Sequence, residues 1–443
     1  MMQIILTWIN THTPLTYFTQ SLWRDEAFSI LVAEKPLLEI IPKLSFEPPV
    51  YYTLLHFWVR LFGNSEIAAR SLSLLAFIIA TIIVIEWADR LFKNNFLAWY
   101  LPILFFTNPM LLYYAFEVRT YGWYTLFSVI AILSYLEKRF RLLAVFSILG
   151  FYTHTYFIFI PFSQAIHFLW FHKNQLKKPA KIFTNPFLIN LAIFFVGILP
   201  WLVKIAWELP RLKQSWYFPV DLQLIKSVLG NLYTGYEGTP WYGWKYTAIL
   251  SAILLSASIF AYLRAKNSRV TSYLLMAAYL PLIVVIGISF VKPLFVNRYL
   301  IQSTVSLIFL LSISISLIKH RLIRYLLAAG LMLFTLSVNF WFPDKHPKIP
   351  IRNTVMTVNS LLKPNDLIFA SSPLVLFETL YYANDRSKVY LFNPYNSPFP
   401  WYVGDAVFSE KYLTRSLPEY PMRAFFINEN GSYNIRYSLS INK

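Results

Sequence analysis

The stretch SLWRDEAFS (21–29) carries an adjacent carboxylate pair, Asp25 and Glu26. A carboxylate can take the proton of a hydroxyl or amine as that group attacks an electrophilic carbon such as an anomeric centre. A less polar setting or a second carboxylate raises its pKa for that task. By itself the pair equally reads as an ordinary solvated loop. FEPPVYYTLLHFW (46–58) follows, with Glu47, the Pro48-Pro49 pair, Tyr51, Tyr52 and His56. The prolines stiffen the chain before a helix or simply start one. Residues 50–62 then mix aromatics and aliphatics, as expected for a short helix lying in the headgroup plane.

A second group, YYAFEVRTYGWY (113–124), brings Glu117, Arg119 and Tyr121 to the end of a long apolar run. Arg119 reads either as a snorkelling anchor or as a partner of Glu117, and Glu117 alternatively orients the acceptor beside Asp25. A third, KPLFVNRYL (292–300), holds Lys292, Asn297, Arg298 and Tyr299. An arginine fork suits a phosphate and a departing anion, though it also suits an interface anchor. His154 in FYTHTYF (151–157) reads as a packing residue. A divalent ion shared by Glu47 and His154 is the one metal site the residues suggest, and two ligands do not complete one.

The elements that must position these residues are membrane helices. The chain is 57% hydrophobic and 14% charged, against about 25% charged in a soluble domain. Its 443 residues include no cysteine, which excludes disulfides, thiolate metal sites and thiol nucleophiles. The formal charge is +18. The basic residues sit in short loops, so the charge reads as topology and attraction to anionic lipid, not as nucleic-acid binding. There is no glycine-rich phosphate loop, so nucleotide sugars and ATP are not expected as ligands.

Apolar runs at 66–88, 96–116, 121–136, 142–154, 155–171, 186–208, 246–263, 270–291, 300–318 and 325–342 predict ten spans. Runs 142–154 and 155–171 are short, and read as two tilted helices meeting at His154 or as one hairpin. Every second loop is basic: Arg90 and Lys93; Lys138, Arg139 and Arg141; Lys173, Lys177, Lys178 and Lys181; Arg264, Lys266 and Arg269; Lys319, Arg321 and Arg324. These loops are expected on the cytoplasmic side. Parity then puts 1–65, 117–120, 209–245, 292–299 and the tail from 343 outside the plasma (inner) membrane. The first twenty residues show no cleavable signal and form at most a marginal eleventh span. The aromatics of 209–245 (Trp216, Tyr217, Tyr233, Tyr236, Trp241, Tyr242 and Trp244) read first as interface residues and second as sugar-stacking ones.

The expected fold is therefore an all-α polytopic membrane protein of about 10–11 transmembrane helices with a small C-terminal extracytoplasmic α/β domain. The division falls at 1–342 and 343–443, with an outer loop at about 21–65. In the tail, a helix over 351–363 and strands at 367–371, 388–392, 423–427 and 434–440 are predicted.

WRDEAFS (23–29), FEPPVYY (46–52), the Phe62-Gly63…Arg70 stretch, YYAFEVRTYG (113–122) and PLFVNRYL (293–300) occur in an order that resembles the GT-C membrane glycosyltransferases. The resemblance is to the group containing protein O-mannosyltransferases and the lipid A aminoarabinose transferase (family 39-like). It implies an inverting transfer from a polyprenyl-phosphate sugar to a lipid, glycan or protein acceptor. It further implies Asp25 as catalytic base, Glu26 and Glu117 as acidic partners, and Arg298 at the donor phosphate, where the outer-loop charge of Lys292 is expected to join it. Glu47, Tyr51, Tyr52, Arg119, Tyr121, His154 and Tyr299 would then contact substrate. Glu47 matches a position associated with a metal in the aminoarabinose enzymes, though here it abuts Pro48, where those enzymes have one residue between. A robust first helix is also missing, which suggests a late start. Two other readings stay open. A transporter or flippase predicts a cavity that opens to both sides, and a noncatalytic scaffold predicts that Asp25, Glu117 and Arg298 do not converge.

Overall fold

The computed structural model describes residues 8–9, 11–93, 96–172, 183–213, 217, 219–235, 243–265, 268–345 and 347–439. The chain is a polytopic helical membrane protein with a small C-terminal α/β domain. Each of the ten apolar runs is helical over most of its length. Among the described residues, six helices are long and apolar enough to cross a bilayer, seven if one bent pair counts as a span. Tyr121–Leu136, Phe140–Phe151 and Phe159–His172 are shorter, at 16, 12 and 14 residues, so they reach about 18–24 Å. Phe140–Phe151 and Phe159–His172 are joined through His154 and a one-turn 3-10 helix, Thr155–Ile158. Large side chains such as Val196, Val203, Leu263 and Ile283 are exposed on the outer helices, a surface that suits lipid. Ile301–Ser316 is buried on nearly every face and forms the centre of the bundle.

The run 96–116 is not one helix. It breaks into Phe96–Thr107 and Pro109–Ala115, which meet at 54°. Pro109 cannot donate to the preceding turn and disfavours helical geometry in Asn108. Asn108 is extended there, and its side chain caps the second helix by accepting from Leu111 N at 3.2 Å. The marginal span at 1–20 is also not continuous. Residues 1–7 and 10 lie outside the described residues, and the rest bend at 13–15 around Pro14 before the four-residue helix Thr16–Thr19.

The stretch 209–245 holds more than an interface loop. Leu222–Thr234 is a helix capped by Asp221 and ended by Gly235 at φ +77°. Tyr233 is fully buried and hydrogen-bonds Thr335 at 2.6 Å, so it is a packing residue. Of the other aromatics, Trp216, Tyr236, Trp241 and Tyr242 lie outside the described residues, as do Lys173, Lys177, Lys178, Lys181 and Lys266.

Gly122 sets how closely Glu66–Phe92 and Tyr121–Leu136 approach. A Cβ built there would sit 2.5 Å from the Ser73 carbonyl oxygen. Backbone cannot yield as a side-chain tip can. Gly122→Ala is therefore expected to destabilise the protein by about 1–3 kcal/mol through overpacking. An unchanged thermal melt of the variant in detergent would disprove that close packing.

In the tail, Ile351–Leu361 precedes a five-stranded sheet. With β1 Leu367–Ala370, β2 Val389–Phe392, β3 Leu413–Thr414, β4 Ala424–Ile427 and β5 Tyr433–Arg436, the order is β3-β2-β1-β4-β5. All pairs are parallel except β4 with β5. A helix absent from the sequence reading, Pro373–Tyr382, joins β1 to β2. It lies between the sheet and the Arg24–Ala33 helix, with Phe28 and Phe377 rings 5.4 Å apart. Covered on both sides, PLVLFETLYY has no polar face to reveal its helical period. The boundary at 343 falls inside the helix Arg321–Lys345. The tail also joins the rest through Tyr382, which accepts from Leu22 N at 2.7 Å, and through the Arg386–Glu34 pair at 2.5 Å.

Candidate active site

Residues from 22–48, 119–121, 153–156, 217, 298–299 and 348–406 line one cavity of about 720 Å³. All five connections assigned to one side by the charge pattern contribute to it. That agreement supports the parity argument more strongly than any single helix.

Asp25 and Glu26 both lie in the first turn of Arg24–Ala33, where carboxylates favour the helix dipole. Their side chains diverge. Asp25 faces the cavity, 3.1 Å from Arg24 Nε and 3.9 Å from Arg119 Nη2. Burial pushes its pKa up, but Arg119, Arg24 and Arg298 outweigh this and hold it below the usual carboxylate value. Asp25 is thus an anion ringed by guanidinium groups.

Glu26 is fully buried and absent from the cavity lining. Each of its oxygens meets Arg70 at 2.8 Å, and Val118 N, Trp23 N and Lys348 Nζ donate to it at 3.1, 3.3 and 2.9 Å. Arg70 in turn donates to the carbonyls of Phe18, Gln20 and Ser21. Burial raises the Glu26 pKa, yet Arg70 and Lys348 bring it down to about 2. Here the carboxylate ties the Arg24–Ala33 helix to the Glu66–Phe92 helix.

Glu117 is also buried and off the lining, 3.3 Å from Lys348 Nζ. Burial drives its pKa up; Lys348 opposes this and Glu26 adds to it. Arg119 lines the cavity and donates to Glu47 Oε1 at 2.8 Å, while Tyr52 donates to Glu47 Oε2. Tyr51 and Tyr52 are fully buried and off the lining, so Tyr52 reaches the site through Glu47. Tyr121, His154 and Tyr299 do line it. His154 stacks on Tyr124 at 4.8 Å and 3°, and burial with Arg119 and Arg298 nearby takes its pKa down to about 3. Arg298 is buried among the rings of Tyr299, Trp23 and Tyr121 at 5.7, 5.8 and 6.0 Å. Lys292 is not on the lining.

The residues do not fit a protein-held metal ion. No three His, Asp or Glu side chains cluster suitably among the described residues. Both Glu47 oxygens already have donors, one of them a guanidinium that would repel a cation.

Sequence reasoning missed Lys348 and Glu378, both on the lining. Lys348 follows the last membrane helix on the side where basic residues are expected to be scarce. That departure singled out Lys292 and Arg298 and applies equally to Lys348. Glu378 is the lone acidic residue in an otherwise apolar run.

No family model and no curated protein matches the chain by sequence. Solved structures match by shape. ArnT from Cupriavidus metallidurans in the apo state superposes with a TM-score of 0.60 at 12% identity, covering 96% of this chain and 91% of that one. The same protein bound to undecaprenyl phosphate gives 0.57 at 12% identity, with 96% and 92% covered. The archaeal oligosaccharyltransferase AglB from Archaeoglobus fulgidus, in complex with an inhibitory peptide and a dolichol-phosphate, gives 0.51 at 10%, with 99% and 74% covered. Identities this low speak for architecture alone, and on that ground the chain has the GT-C fold that these structures share.

Proposed function

We propose that this protein is an inverting glycosyltransferase that moves a sugar from a polyprenyl-phosphate donor to an acceptor on the extracytoplasmic face of the inner membrane. The observation that carries the reading is one cavity lined by an ionised carboxylate, Asp25, and by the guanidinium of Arg298. The polyprenyl-phosphate ligands of the ArnT and AglB structures favour a lipid-linked donor here.

In this reading the donor tail lies in the bilayer and its phosphate meets Arg298. The acceptor oxygen attacks the anomeric carbon from the opposite face while Asp25 takes its proton. The bond from that carbon to the phosphate oxygen breaks, and the electron pair leaves with the phosphate. Positive charge held ready by buried groups stabilises such an anion without reorganisation. Lys348, which faces the cavity, takes the second cationic role expected of Lys292. Glu26 and Glu117 hold Arg70 and Lys348, and Glu47 holds Arg119.

The test is transfer by purified protein from a panel of radiolabelled polyprenyl-phosphate sugars, with membrane extract as acceptor. Label in a new product is expected, and Arg298→Gln should lower turnover by about 10²–10³-fold. Full turnover in the variant would remove Arg298 from the donor site. Absence of transfer from every donor by folded protein would favour the transporter reading and call for flux measurements.

A further inference from the structure

Glu378 lies in the Pro373–Tyr382 helix, whose packing against Arg24–Ala33 turns both Glu378 and Asp25 toward the same cavity. It is 5% exposed, and its Oε2 is buried with no hydrogen-bond partner among the described residues. A buried carboxyl oxygen left so costs stability. Groups of that kind in a cleft mark functional sites. Beside it on the lining are Phe377, Trp401 and Tyr402, and Trp401 packs edge-on to Phe46 with centroids 5.0 Å apart. Rings with a polar handle suit the mixed faces of a sugar. An acyl chain would leave the carboxyl unsatisfied; a hydroxyl-bearing ring would satisfy both carboxyl and aromatics.

We propose that Glu378 is a specificity-determining residue of an acceptor subsite, where its carboxyl hydrogen-bonds a hydroxyl of a carbohydrate held between the Arg24–Ala33 helix and the C-terminal domain. The inference rests on the transferase reading and adds to it the class of acceptor. The protonation state agrees. Burial takes the Glu378 pKa up to about 8, its own backbone N–H and Arg24 pull it down, and Asp25 and Glu26 push it further up. Lys348 and Asp405 are the other charged side chains of the tail on this cavity. A neutral carboxyl can both donate and accept, as a glutamine can.

The experiment uses the full chain in lipid nanodiscs, with Glu378→Gln and Glu378→Leu beside the wild type. Binding of a panel of methyl glycosides is read by saturation-transfer NMR, and transfer to membrane extract is read separately. Glu378→Gln is expected to bind and transfer within a few-fold of wild type. Glu378→Leu should lose the glycoside signal and fall about tenfold in kcat/KM for acceptor, at unchanged KM for donor. Its melting temperature should match or exceed the wild type, which separates a recognition role from a structural one. Wild-type binding and transfer in Glu378→Leu would overturn the inference. So would saturation transfer to a peptide panel and not to glycosides. Glycoside binding that depends on Glu378, with no transfer from any donor, would support the subsite and sink the transferase reading instead.

Discussion

Asp25→Asn is expected to leave a folded protein whose transfer rate falls by about 10²–10⁴-fold, the usual contribution of a positioned base. Asparagine keeps the size of the side chain and loses the anion proposed to take the acceptor proton. Folding should survive because the neighbours keep other partners. Arg24 still donates to the Tyr402 carbonyl at 3.3 Å, and Arg119 still pairs with Glu47 at 2.8 Å. Three guanidinium groups lower the Asp25 pKa, so the side chain carries its charge throughout the neutral range. The bound donor phosphate would offset part of that positive field and make Asp25 a stronger base when substrate is present. The measurement is single-turnover transfer beside a thermal melt. Retained turnover with an unchanged melt would end the assignment of Asp25 as base.

The largest effect on stability is expected at Arg70. Arg70 and Glu26 are both fully inaccessible, and their bidentate contact joins the Glu66–Phe92 helix to the Arg24–Ala33 helix that carries Asp25. Breaking a buried ion pair by removing one partner costs about 3–5 kcal/mol, and Glu26 would keep only Lys348 Nζ and two backbone N–H donors. Arg70→Met also strands the Phe18, Gln20 and Ser21 carbonyls. Arg70→Lys should rescue little, because an ammonium cannot reproduce the planar fork. A melt of Arg70→Met within a degree of wild type would refute this.

The same pair sets an acid limit. The folded pKa of Glu26, about 2, lies below its ordinary 4.5. Its contribution to stability is therefore fully present above pH 4.5 and is lost as pH falls toward 2. Wild type should lose melting temperature across that window more steeply than Glu26→Gln.

The two acidic residues taken with Asp25 as catalytic partners show where a linear reading stops. Asp25 and Glu26 are adjacent and chemically alike, so nothing local distinguishes the proposed base from the brace. The distinction comes from the first turn of a helix. Successive side chains there point about 100° apart, so one carboxyl meets the cavity and the other meets Arg70. Lys292 and Lys348 make the same point for the cations. Both depart from the charge rule, and only the packing of the tail against the bundle brings one of them to the cavity.

What the sequence by itself determined was the membrane architecture. Run length, apolar composition and the alternation of basic loops are local properties set by the thickness and polarity of the bilayer, and they need no knowledge of contacts. Four of the five strands of the tail and the order of the three candidate segments were also legible as local patterns, while β3, two residues long, was not. The tertiary structure alone decided which charges face the cavity. Lys348 and Glu26 are 322 residues apart, Arg70 and Glu26 are 44 apart, and Arg119 and Glu47 are 72 apart. Burial makes such pairing obligatory for each charge, but many pairings satisfy that demand equally. The choice among them is made by how the helices pack, at places such as the Gly122–Ser73 crossing and the bend at Asn108.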